Sequence, residues 1–157
     1  NKKNLDRNIY GYDTFEGMSR PTDHDTKFKG IQAINKYKAT IKSDTGWCKS
    51  TLDEVEENIS KEFPNNNTKL IKGKVEDTLL IENNIPQKIS ILRLDTDFYE
   101  STKVELEVLF PRLEKGGILI LDDYGHWMGS KKAVDEYFKT KPFLIYVDHA
   151  CRFLIKN

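Results

Sequence analysis

The sequence has no excess charge of either sign: 25 Lys and Arg face 25 Asp and Glu, a formal net charge of zero at pH 7. That balance argues against a nucleic-acid partner held by bulk electrostatics, which needs a basic surplus to meet phosphate. No apolar run approaches the roughly 20 residues that cross a bilayer, and none resembles a secretory leader, so no membrane partner is expected. There are only two cysteines, Cys48 and Cys151. They have neither zinc-site spacing nor the density of a disulfide scaffold, and a reducing, cytoplasmic setting is the default. Glycine is scattered: the nine lie at 11, 17, 30, 46, 73, 116, 117, 125 and 129, and no two form Gly-x-Gly. No internal repeat is visible. A chain of 157 residues suffices for one domain with a real core, and residues 1–157 read as one partial domain that opens on Asn1 rather than Met.

The apolar pattern predicts a short strand over 8–13 that ends in Asp13. Residues 16–29 are rich in Gly, Pro, Asp and Lys and read as a loop. Ile31, Ile34, Tyr37 and Ile41 recur at helical spacing, with Lys36, Lys38 and Lys42 on a solvated face. Leu52, Val55, Ile59 and Phe63 mark a second helix, capped by Ser50 or Thr51 and ended by Pro64 and the Asn run 65–67. Strands follow over 69–73 and 89–94. The next helix opens at Ser101 and Thr102, with Glu105 placed for a capping box on Thr102, and Gly116-Gly117 stop it. A strand over 118–121, a helix around 133–138 and a hairpin of strands 143–147 and 152–155 complete the chain. This order predicts an α/β sheet, mostly parallel, with an antiparallel strand at the end.

Two apolar runs end abruptly in paired acids: Ile89–Leu94 in Asp95-Thr96-Asp97, and Ile118–Leu121 in Asp122-Asp123. Ligands of open parallel sheets bind beyond the carboxyl ends of the strands. Four carboxylates there repel one another unless a cation or a proton sits among them. Asp95 and Asp97 are two apart and point the same way in extended chain. Oxygen donors of this kind suit a hard dication, Mg²⁺ first and Ca²⁺ or Mn²⁺ next, rather than Zn²⁺. A single Asp at a strand end is usually a helix cap; four on two neighbouring strands point to a site.

Several families place acids this way. A haloacid-dehalogenase-type Mg²⁺ phosphatase uses Asp-x-Asp and a later Asp-Asp, but needs a Ser or Thr and a Lys on strands in between, and only one helix separates Asp97 from Asp122. A glycosyltransferase Asp-x-Asp lies in a loop after a nucleotide-sugar fold. A metal-dependent methyltransferase of the Rossmann-like type places acids after its fourth and fifth strands with one helix between, which matches. A non-catalytic fragment of such a fold is the further alternative.

At these residues the chain resembles the macrocin O-methyltransferase family, S-adenosylmethionine-dependent sugar O-methyltransferases of antibiotic biosynthesis. The shared blocks are 12–18 (Tyr-Asp-Thr-Phe-Glu-Gly-Met), Lys72-Gly73 with Asp77-Thr78-Leu79, 92–103 around Asp95-Thr96-Asp97-Phe98-Tyr99-Glu100-Ser101-Thr102, Gly116-Gly117 with Asp122-Asp123-Tyr124-Gly125, and 133–138. The resemblance implies a Rossmann-like class I methyltransferase sheet and Mg²⁺ held by Asp95, Asp122 and Asp123. It further implies Asp97 as general base for the substrate hydroxyl, Asp13 on the cofactor ribose and Asp77 near the adenine. The implied substrate is a small hydroxylated, sugar-like molecule.

The family's central first strand and its Gly-rich turn have no counterpart in these residues, and the chain reads as starting at the second strand. The second strand is then expected to pair directly with the fourth, or a neighbouring chain in a homo-oligomer to fill the gap. His126 and Trp127 are expected at the substrate mouth, with His126 a competing base. Tyr99 and Tyr124 either flank the metal or pack on the sheet edge. Arg93, within a strand, needs a carboxylate partner. His149 and Cys151 read as turn residues.

Overall fold

The computed structural model describes residues 7–41, 43, 46–64 and 67–157; Lys42, Asn65 and Asn66, given roles above, lie outside them. Strand β1 (Ile9–Asp13) pairs in parallel with β2 (Thr68–Lys72) and is joined to it through helices α1 (Ala33–Thr40) and α2 (Leu52–Glu62). A short helix α3 (Val75–Thr78) follows. Strand β3 (Ile89–Leu94) leads through α4 (Tyr99–Leu109) to its parallel neighbour β4 (Leu113–Leu121). Helix α5 (Met128–Tyr137) then leads to β5 (Ile145–Tyr146) and β6 (Arg152–Ile155), and β6 lies antiparallel between β4 and β5.

The sheet is thus in two parts, β1–β2 and β3–β4–β6–β5. Among the described residues β1 pairs only with β2, so the expected direct pairing of the 8–13 strand with the 89–94 strand does not form. The two parts meet through side chains: Arg7 donates to Ser90 Oγ at 2.6 Å, and the Tyr12 hydroxyl donates to the Asn84 carbonyl at 2.5 Å. Ridges of Leu106, Leu109 and Val134 from α4 and α5 pack on Leu92, Leu94, Leu119 and Leu121, all buried, and form the core on one face of the larger sheet. The other face is open: Ile91, Arg93 and Ile155 project there and are exposed.

Local chemistry accounts for most element ends. Thr51 caps α2 in a full capping box, its side chain taking the Glu54 N–H while Glu54 takes the Thr51 N–H. The capping box expected at Thr102 is absent. Helix α4 starts three residues earlier, after an uncapped Phe98, and both Thr102 and Glu105 are buried. Gly116 and Gly117 lie inside β4 rather than at a helix end; α4 finishes at Leu109, followed by a tight turn through Pro111. Strand 143–147 shrinks to two residues. Among the described residues no helix is long and apolar enough to cross a membrane.

Candidate active site

The carboxyl ends of β1, β2 and β3 face a cavity of about 330 Å³ whose walls include Asp13, Gly73, Glu76, Asp95 and Asp97. This is the edge at which open α/β sheets bind ligands. Asp13 closes β1, and its Oδ1 accepts the Phe15 N–H at 2.6 Å, which folds the chain back at once. Asp77 is exposed on α3 and does not line this cavity, whereas its neighbour Glu76 does.

Asp95 follows directly from β3. The chain then bends sharply, because Asp97 adopts a left-handed backbone with φ of 66°, a conformation rare outside glycine but tolerated by Asp. Asp95 and Asp97 therefore do not converge through strand alternation, as their spacing suggested; the bend brings them together. Across from them Asp123 leaves β4, with its carbonyl accepting the N–H groups of His126 and Trp127. One carboxylate oxygen from each of Asp95, Asp97 and Asp123 lies within 4.8 Å of the others. Asp122 lies beside Asp95, which it pushes up, but is not one of these three. Its Oδ1 is 3.2 Å from Arg93 Nη2, which also reaches Asp95 Oδ2 at 2.9 Å. Arg93 thus finds its carboxylate partners, but at an exposed site on the open face rather than a buried one.

The electrostatics follow from crowding. Burial, then the nearby Asp97, push the Asp123 carboxyl up to about 8. Burial and Asp122 push Asp95 up to about 6, against the pull of Arg93. Asp97 is also raised by burial, and its contacts with Asp123 and Trp127 hold that rise back. Asp97 and Asp123 therefore titrate as one pair, with burial raising both. Asp123 Oδ2 is buried with no hydrogen-bond partner. An orphaned carboxylate oxygen among three converging acids fits a divalent cation, which supplies the charge that the protons otherwise provide.

Around the acids, His126 stacks edge-on against Trp127 and lies near His149, and burial lowers its pKa. The Tyr99 hydroxyl donates to Glu136 and the Tyr124 hydroxyl to Asp135, each at 2.7 Å, and the Tyr124 ring packs against the core. Two residues escaped the sequence reading. Asp25, in the 16–29 loop, is fully buried and accepts from the backbone N–H groups of Thr22 and Tyr99, at 2.7 and 2.8 Å. The spacing Thr22-x-x-Asp25 resembles a capping box and was its only local signal. Glu105, assigned above to a cap, instead accepts the Thr96 hydroxyl at 2.9 Å.

Comparison with known proteins is consistent across sequence and structure. Residues 1–155 match the family model described as macrocin O-methyltransferase (TylF). The chain is 28% identical over 134 residues to mycinamicin III 3''-O-methyltransferase of Micromonospora griseorubida, covering 84% of this chain and 49% of that protein. It is 30% identical over 152 residues to demethyldecarbamoylnovobiocin O-methyltransferase of Streptomyces niveus, covering 91% and 53%. The chain therefore spans about half the length of these curated relatives. Among solved structures it superposes on the O-methyltransferase NovP with a TM-score of 0.75 and 27% identity, over 96% of this chain and 60% of that one. Its fold is accordingly the Rossmann-like methyltransferase sheet, and the chain belongs to the macrocin O-methyltransferase (TylF) family.

Proposed function

We propose that this chain forms the metal-binding, acceptor-facing part of an enzyme that moves a methyl group from S-adenosylmethionine to a hydroxyl of a sugar or similar vicinal diol. The observation that carries the proposal is the meeting of Asp95, Asp97 and Asp123, the first two of which line a cavity beyond the strand ends, in a chain of this family. A phosphatase role finds no support in that membership. Two free thiols, Cys48 and Cys151, fit a reducing, cytoplasmic setting.

Asp95 and Asp123 would hold the cation, Mg²⁺ by the hardness of the donors. Asp122, whose Oδ1 pairs with Arg93, would be the third ligand through its other oxygen. When bound, the cation supplies positive charge that favours the alkoxide form of an acceptor hydroxyl. Asp97 takes the hydroxyl proton as the oxygen–methyl bond forms and the methyl–sulfur bond breaks. Asp13, in the cavity wall, would meet the cofactor ribose. Glu76 rather than Asp77 lines the cavity on the α3 side. Displacement at carbon requires oxygen, methyl and sulfur in line, and a rigid strand end holds its side of that line well.

Isothermal titration of the chain with Mg²⁺, and with S-adenosylhomocysteine in its presence, tests the proposal. A single cation-binding event that disappears in Asp95→Asn and in Asp123→Asn supports it. No cation uptake at millimolar Mg²⁺ removes the metal site and with it the enzyme described.

A further inference from the structure

Beneath the acid cluster, on the inner face of α4, lies a carboxyl group with no place in the chemistry above. Glu105 is only 5% exposed, among Thr102, Leu106 and Leu109 on a helix face otherwise built to pack on the sheet. Burying a carboxyl there is unfavourable: burial raises its pKa to about 8, so it is neutral at pH 7. Leucine would fill the position at lower cost. What Glu105 does provide is an acceptor for the Thr96 hydroxyl at 2.9 Å. Thr96 is the residue between Asp95 and Asp97. Its carbonyl accepts the Phe98 N–H at 2.8 Å and the Ser101 hydroxyl at 3.3 Å. The next residue carries the left-handed backbone of Asp97. A turn in that conformation persists only where its surroundings hold it.

We propose that Glu105 is a positioning residue: by fixing Thr96 from below, it holds the Asp95-Thr96-Asp97 turn in the conformation that brings both carboxylates to Asp123. The inference rests on the metal-site reading above and adds to it the residue that shapes the site. Glu105 touches neither the acids' ligating oxygens nor the cavity wall. Its contribution is geometric, and a glutamine, which keeps an acceptor for the Thr96 hydroxyl, serves as well.

Mn²⁺ binding to the chain, followed by electron paramagnetic resonance of the free ion at pH 7 beside a thermal melt, tests this. Glu105→Leu should weaken Mn²⁺ binding about tenfold, the scale of supporting residues around metal ligands, while the melting temperature stays level or rises. Glu105→Gln, which keeps an acceptor for Thr96, should bind as the parent does. Thr96→Val, which removes the donor without altering the helix, should match Glu105→Leu, and combining the two should add nothing further. Parent-like Mn²⁺ affinity in both Glu105→Leu and Thr96→Val overturns the positioning role and leaves the metal site standing. Equal losses of binding and stability in Glu105→Gln and Glu105→Leu mean a packing role only and also overturn it. Absence of Mn²⁺ binding by the parent chain removes both the site and the inference.

Discussion

The carboxylate of Asp25 occupies the space that a Cβ at Gly129 would need, so the 16–29 loop and the first turn of α5 interlock at one atom. Asp25 Oδ1 also accepts the Tyr99 N–H that opens α4. One buried side chain therefore ties loop, α4 and α5 together beside the acid cluster. Glycine near a helix start normally gains about 1 kcal/mol on replacement by alanine. Here the added methyl meets a buried carboxylate pinned by three hydrogen bonds, and overpacking of that kind costs roughly 1–3 kcal/mol. Gly129→Ala should therefore destabilise the chain in urea titrations. Adding Asp25→Ala should not add its own full cost, because the clash is gone. A stabilised Gly129→Ala would show that Asp25 moves freely and does not anchor the loop.

The raised carboxyls make stability fall as pH rises in the absence of metal. Glu105 and Asp123 stand at about 8 in the folded chain, and Asp95 at about 6. In the unfolded chain such groups ionise near pH 4. Between about pH 4 and pH 8 the folded state keeps protons that the unfolded state has released, so the slope of unfolding free energy against pH is negative. Each fully retained proton contributes about 1.4 kcal/mol per pH unit, and the exposure of Asp95 reduces its share. Thermal melts in chelator should drop by about 5 °C or more from pH 5 to pH 8. Saturating Mg²⁺ should recover most of the Asp95 and Asp123 part and leave that of Glu105. A flat profile in chelator would mean these acids are not crowded.

Strand-end acids and helix periods were legible because they depend on local pattern. The apolar run to Leu94 and the run to Leu121 had to be strands, although β3 is buried on one face only, and Asp95 and Asp123 emerge where they end. Thr51 announced its capping box through Glu54 three residues on. Glu105 misled because the same spacing to Thr102 is equally satisfied by a buried acid that faces Thr96; spacing does not say which way a helix turns. The left-handed bend at Asp97 was illegible because nothing in Thr-Asp-Phe requires it. The turn around it is tied by the Thr96 carbonyl, which accepts from the Phe98 N–H and the Ser101 hydroxyl. Asp122 and Asp123 look equivalent as a pair, yet strand alternation sends one toward Arg93 on the open face and the other to the cluster. Asp25 was hidden because its partner at Tyr99 lies 74 residues away.

Asp97 and Asp123 belong to one crowded cluster but should separate in function. Asp97→Asn removes the base and keeps the shape. Methyl transfer from labelled S-adenosylmethionine should fall by about 10²–10⁴, while Mn²⁺ affinity changes only a few-fold. Asp123→Asn should lose both. Equal loss of Mn²⁺ binding in the two variants would make Asp97 a ligand and leave the base to be found elsewhere, with His126, whose charge acts on Asp97, the next candidate.

Arg93 offers the sharpest electrostatic test, because its guanidinium sits on Asp95 and Asp122 at once. A cation bound to Asp95 feels that charge as repulsion. Arg93 is 55% exposed, so the repulsion is screened toward its value in water, about 1 kcal/mol at 4 Å. Arg93→Met keeps the stem and removes the charge, so Mg²⁺ should bind roughly fivefold tighter by calorimetry. The freed Asp122 Oδ1 then becomes available as well, which works in the same direction. If Arg93→Met instead weakens binding, the guanidinium is holding Asp95 in place more than it repels the ion, and Asp122 belongs to the scaffold rather than to the site. Repeating the titration at 0.5 M salt separates the two: the charge effect should shrink with screening, whereas a loss of alignment should persist.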